Sequence, residues 1–151
     1  FVGVVVSIHV LCMFAPSPLT GWLADRSGPA TVAALGAVLL VATGVLGATI
    51  DLSHGFEMTA MLALLGLGWN AGIVGGSTML AASVPAPLRP HAEGIGEVAM
   101  GLAAGAGAPL AGLIVFFGDM TTLLIAAAVV GVVMFVSLRI GGRPEPLAEP
   151  S

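Results

Sequence analysis

From residue 2 to residue 50 the chain is nearly continuous hydrocarbon, interrupted by one short polar stretch, Gly21-Trp22-Leu23-Ala24-Asp25-Arg26-Ser27-Gly28. An adjacent acid and base framed by two glycines has the chemistry of a tight turn. A soluble loop has the same chemistry, but it is not flanked on both sides by runs long enough to cross a bilayer. Composition closes the argument. Charged residues make up 8% of the chain and hydrophobic ones 58%, whereas a soluble domain carries about 25% charged residues. There is not enough polar side chain to clothe a water-facing surface, so the chain reads as an integral membrane protein.

A membrane helix needs about 20 predominantly apolar residues. Five segments meet that requirement: 2–19, 31–50, 56–84, 94–117 and 121–140. The connections, 21–29, 51–54, 85–93 and 118–120, are short, which favours antiparallel neighbours. No sustained period-two alternation is present, which argues against a β-barrel. The expected fold class is all-α: a polytopic transmembrane bundle of about five spans occupying residues 1–140. The segment 141–151, rich in Pro and Gly, reads as a disordered tail. Arg26, Arg89, Arg139 and Arg143 all fall on one side of a five-span topology, while Asp51, His54, Glu57 and Asp119 fall on the other. The positive-inside rule makes the arginine side, and with it the C-terminus, cytoplasmic in a cell (inner) membrane.

Other classes drop out. No basic patch exists for nucleic acid. Cys12 is the single cysteine, so an internal disulfide and a multi-cysteine metal cluster are excluded. His9, Cys12 and Met13 share one helix face, but without further ligands at that depth no metal centre is expected. No cofactor is called for. The chain starts at Phe1 inside an apolar run with no basic flank, unlike a signal peptide, and this reads as a truncated start. Abundant Ala, Gly and Val with no Lys suggest a GC-rich bacterial source.

Small residues recur at helical spacing. Gly68, Gly72 and Gly76 form one line, and Gly101 with Gly105 begins another; such lines let helix backbones approach in lipid. In Gly105-Ala106-Gly107-Ala108-Pro109, the proline removes a backbone donor within a span, which predicts a kink.

These residues, taken in order, resemble the major facilitator superfamily of twelve-helix transporters. Gly21-x-x-x-Asp25-Arg26-x-Gly28 is similar to that family's signature loop, which joins the second and third helices of each half. Pro29 and Ala30 stand where the family carries two basic residues. Pro85-x-x-x-Arg89-x-x-Ala92-x-Gly94 resembles the turn into the fifth helix of a half. Gly101-x-x-x-Gly105-x-Gly107-x-Pro109-x-x-Gly112 resembles the Gly/Pro pattern of that helix in drug–proton antiporters. The order matches a second half, so the resemblance implies helices eight to twelve, with the N-terminal half of the same transporter as the missing partner.

The resemblance also implies roles. Gly21, Asp25, Arg26 and Gly28 would form a cytoplasmic gating latch; the competing reading is a turn with a solvated ion pair, worth little by itself. His9 lies about 18 Å along the helix from Gly21, near the midplane. It is either a hydrogen-bonded packing residue or a proton or substrate contact. Trp69 and Asn70 are also near the midplane, and Asn70 with Ser77 makes a polar stripe. That stripe is either a substrate contact in the central cavity or an interhelical hydrogen bond. Glu93 suits a helix N-terminus; Glu97, one turn deeper, is a candidate for gating or a proton path.

The reading that follows is a secondary active transporter, not an enzyme. It would move a small solute across the lipid bilayer by alternating access, coupled to protons, with efflux slightly favoured. The rival is a complete five-span scaffold or self-assembling subunit without transport activity.

Overall fold

A computed structural model describes residues 2–51 and 54–141. Every regular element among them is helical: α1 (Val2–Phe14), α2 (Ser17–Ser27), α3 (Pro29–Thr49), α4 (Gly55–Ala82), a 3-10 turn (Ala86–Leu88), α5 (Arg89–Phe117) and α6 (Met120–Gly141). Hydrocarbon offers backbone groups no water, so a helix that satisfies its own N–H and C=O groups is the natural way for such segments to cross. Counting α1 and α2 as one 26-residue span, five helical segments are long and apolar enough to do so. That is the expected number. The segment 142–151, expected to be disordered, lies outside the described residues.

The first span differs from expectation in two ways. It is broken at Pro16, which has no N–H to give the Cys12 carbonyl. The chain restarts with Leu19 and Thr20 both donating to the Pro16 carbonyl at 2.9 Å. It also continues helically through the stretch expected to be a turn, as far as Ser27. Burial explains this: Ala24 packs with Val32 and Ala71, and Leu23 leans on the same cluster, so tertiary contact overrides the loop chemistry of the local sequence. The whole reversal falls to Gly28, whose φ of 88° is the one positive value among the described residues. A Cβ is poorly tolerated there. Pro29 then begins α3 at the position where a missing N–H costs nothing.

α5 likewise begins at Arg89, earlier than expected, with Pro90 in its first turn. It remains an unbroken helix across Pro109.

α3 and α4 run antiparallel and nearly backbone to backbone. A Cβ on Gly36 would lie 2.6 Å from the Gly72 nitrogen, and one on Gly68 would lie 3.1 Å from the Leu39 Cβ. A Cβ on Gly75 would collide with the backbone of Ala33. The expected line Gly68, Gly72, Gly76 is therefore corrected to Gly68, Gly72, Gly75. Eight residues at about 100° each drift by about 80°, which turns Gly76 off the seam into open space. α6 packs on the other side of α3 in the same way, with Gly131 against Ala37 and Val41 and Gly44 against Leu124 and Ala128. The core consists of small side chains: Val32, Ala33, Ala37 and Ala71 are essentially fully buried.

α5 stands apart. It has no buried residue. Gly101, Gly105, Gly107 and Gly112 have nothing within 4 Å of where a Cβ would sit.

Candidate functional site

Thr43, buried on α3, donates within its own helix to the Leu39 carbonyl at 2.8 Å. The sequence candidates His9, Asn70, Ser77 and Glu97 lie along two neighbouring lines, the seam between α1–α2 and α4 and a groove between α4 and α5. The first is made possible by Gly66. A Cβ there would lie 2.6 Å from the His9 carbonyl oxygen and 3.0 Å from the Cys12 Cβ, so α1 and α4, which run parallel, approach closely. At that separation the His9 Nδ1 sits 2.6 Å from the Leu62 carbonyl oxygen. Since the acceptor is a carbonyl, the imidazole carries its proton on Nδ1 and donates it.

Two turns further along α4, Asn70 is 2% exposed and fully engaged. Its Nδ2 donates to the Met13 carbonyl and to the Ser17 Oγ, both at 2.8 Å. The Thr20 hydroxyl donates to its Oδ1, again at 2.8 Å. Met13 lies in the last turn of one half of the broken span, and Ser17 and Thr20 lie in the first turn of the other. Asn70 therefore ties both sides of the break at Pro16 to α4. The adjacent Trp69 meets Phe14 edge-on with ring centres 5.5 Å apart, so a second side chain bridges the same point.

Asn70 and Ser77 were expected to share a stripe. They do lie on one side of α4, but they meet different neighbours, α1–α2 at Asn70 and α5 at Ser77. Ser77 opens into the second line, a groove of about 260 Å³ whose polar lining is Ser77, Glu93 and Glu97. Gly72, Gly76 and Gly96 form its floor and shoulder, which leaves the space unfilled. Both glutamates are exposed. The structure thus brings Ser77 and Glu97 together and separates them from His9, Trp69 and Asn70.

At the end of α2, Asp25 and Arg26 are exposed on the last helical turn. The Arg26 guanidinium lies over the Trp22 ring, 5.5 Å from its centre. Nothing lies within 4 Å of where a Gly21 Cβ would be, so Gly21 is not needed for packing within these helices. Arg26, Arg89 and Arg139 share one end of the bundle, because α2 and α6 end where α3 and α5 begin.

Sequence reasoning missed Ser17 and Thr20, which hold the Asn70 amide, and the break they flank. The signal was present in Pro16 and Pro18 with a serine between them. It also missed the cap on α6, where the Asp119 carboxylate accepts from the Thr122 amide at 2.7 Å and from its hydroxyl at 2.8 Å. Those bonds, led by the backbone one, hold the Asp119 carboxyl below its ordinary range.

The family model described as Major Facilitator Superfamily matches residues 1–151. An uncharacterized MFS-type transporter of Bacillus subtilis, YddS, is 34% identical over 133 residues, covering 88% of this chain and 30% of the relative. A second from the same organism, YdeG, is 34% identical and covers 76% of this chain and 26% of its own length. The riboflavin transporter RfnT of Brucella anthropi is 36% identical over 93 residues, 61% of this chain and 23% of that protein. The chain thus spans less than a third of the length of these relatives. No solved structure matches it significantly.

Proposed function

The chain belongs to the major facilitator superfamily, and from that premise we propose that it supplies helices eight to twelve of a secondary active transporter moving a small solute. The observation that carries this reading is the unequal packing of its helices. α4 and α6 are each closed against α3, while α5 presents Gly101, Gly105, Gly107 and Gly112 to empty space. In lipid, a face of small residues is suited to close helix approach, and we assign it to the N-terminal half of the same transporter. The scaffold reading has no observation in its favour.

In this reading the groove lined by Ser77, Glu93 and Glu97 faces the solute path. Glu97 is the group that exchanges a proton, since an ionisable side chain set among apolar ones usually has a functional reason to be there. His9 and Asn70 act one layer behind, holding the broken first span to α4. Gly28 is the pivot between α2 and α3, with Asp25 and Arg26 on the moving end as the latch. Gly101, Gly105, Gly107 and Pro109 make α5 both close-packing and able to bend. The arginine end faces the cytoplasm of a bacterial inner membrane, and export is the favoured direction.

The test is reconstitution of the full-length transporter in liposomes with an imposed pH gradient. Riboflavin is the first solute to try, given the name of one relative. Solute movement that follows the gradient, collapses with a protonophore and is lost in Glu97→Gln supports the reading. Movement indifferent to the gradient removes proton coupling, and no movement of any solute class tried removes transport.

A further inference from the structure

On the side of the bundle away from α5, an outward-facing groove runs between α3 and α6. Three cavities join to make it. The first, about 380 Å³, is lined by Thr31, Leu35, Val38, Phe135 and Arg139 among others. The second, about 550 Å³, shares Val38 and Phe135 with the first and continues along Val41, Val45 and Val132. The third, about 300 Å³, shares those last three valines and reaches Ile125. From Arg139 to Ile125 is about 21 Å along a helix, more than the roughly 15 Å thickness of one leaflet's hydrocarbon.

The two ends of the groove differ in chemistry. Past Phe135 the lining is aliphatic throughout. At the head stands Arg139, its guanidinium over the Phe135 ring at 4.9 Å from the centre. The Thr31 hydroxyl beside it donates to the Ser27 carbonyl at 2.8 Å. Among the described residues, no carboxylate lines any part of the groove. Its occupant therefore has an anionic head and a hydrocarbon tail.

A further protein helix suits it poorly. Close helix contact needs small residues on the meeting face. The glycines on this side, Gly44 and Gly131, are already filled by Ala128 and Val41. What remains outward is a ridge of valines: Val38, Val45, Val129 and Val132 are each about half exposed. Such ridges leave a channel for a single flexible chain.

We propose that the α3–α6 groove binds one anionic phospholipid, with its phosphate on Arg139 and one acyl chain along Val38, Val41, Val45 and Val132. The site is separate from the solute groove between α4 and α5, and the proposal stands whether or not that groove carries solute.

Native mass spectrometry of the full-length transporter, purified with either phosphatidylglycerol or phosphatidylcholine of matched chains, provides the test. One retained phosphatidylglycerol per protein is expected, with less phosphatidylcholine. Arg139→Gln should lower phosphatidylglycerol retention about fivefold, as loss of one cation near an anionic lipid does, and abolish the headgroup preference, while Arg139→Lys keeps most of it. Val132→Trp fills the middle of the groove from an exposed position and should release lipid of both kinds without changing the melting temperature. Equal retention of the two headgroups in the unmodified protein, no retained lipid, or retention that survives both Arg139→Gln and Val132→Trp would overturn the proposal.

Discussion

Along the seam between α3 and α4, Gly36, Gly68 and Gly75 let two backbones touch, whereas Gly101, Gly105, Gly107 and Gly112 on α5 face nothing within 4 Å. Both sets have the spacing that permits close helix approach. Only the first has found its neighbour within these residues. Small-residue spacing therefore reports a capacity for contact, and the partner decides whether that capacity is used. In the α3–α4 seam it is used for cohesion: Ala33 of α3 lies against Gly75 of α4 and vanishes from the surface. In α5 it is reserved for helices of the whole transporter, under the function proposed above.

If that contrast is right, the largest effect on stability comes from widening the seam. Gly36→Val would drive a side chain into the Gly72 backbone, where a Cβ alone would lie at 2.6 Å. Backbone cannot step aside as a flexible side chain can. The expected loss is about 3 kcal/mol, seen as a collapse of the folded fraction in detergent melting curves. A melt like that of the unmodified chain would mean that α3 and α4 do not touch here.

Next comes Asn70→Leu. It removes three hydrogen bonds and strands the Met13 carbonyl at a point where Pro16 has already cost the helix a donor. Interhelical hydrogen bonds in membrane proteins are worth about 0.6 kcal/mol each, and a buried orphan adds to that loss. A cost of about 2 kcal/mol is expected, with hydrogen exchange rising at Ser17, Leu19 and Thr20. Uniform protection across α1 and α2 in the variant would remove Asn70 as the tie. Gly28→Ala tests the pivot instead. A φ of 88° suits a residue without a Cβ, so about 1–2 kcal/mol of strain is expected by urea titration.

These two positions also mark how far the sequence could be read. The five spans, their all-helical character and the family were legible, because hydrophobic length and the backbone's need for partners in lipid leave few other solutions. The ends of α6 fell within a residue of those expected for the same reason. The turn at residues 21–28 was misplaced, because Asp25, Arg26 and the flanking glycines describe local preference, and the burial of Ala24 against Val32 and Ala71 overruled it. The break at Pro16 was overlooked because hydropathy does not register a missing N–H. Asn70 was legible as a polar group in mid-span, but its partners lie 50 or more positions away. Only the three-dimensional seam selects Met13, Ser17 and Thr20 for it.

A smaller effect is expected at the junction of α5 and α6, and it depends on pH. The Thr122 amide and hydroxyl hold the Asp119 carboxyl below its ordinary value. A carboxylate whose folded-state value is depressed contributes stability above the unfolded value, near 3.9. That contribution fades as the pH falls through the folded value. Asp119→Ala should therefore lower the melting temperature slightly at pH 7 and leave it unchanged at the acid end of the range. A deficit that persists at low pH would show that the cap acts through packing rather than charge.

The last substitution should do almost nothing to this bundle, and that is its use. Gly105→Leu places a bulky side chain on the bare face of α5, where nothing lies within 4 Å of the new Cβ. In the 151-residue chain, the melting curve should shift by less than about 0.5 kcal/mol, as for an exposed substitution that disturbs no packing. Leucine is also a better helix former than glycine, by several tenths of a kcal/mol, so a slight gain is as consistent as no change. In the full-length transporter the same leucine should block close approach, separate α5 from its new neighbours and abolish transport. A residue neutral in the part and disabling in the whole would identify α5 as the face where these five spans meet the remaining ones. Neutrality in both would leave the glycines of α5 as ordinary lipid-facing residues, and the contrast with the α3–α4 seam would then lose its functional meaning.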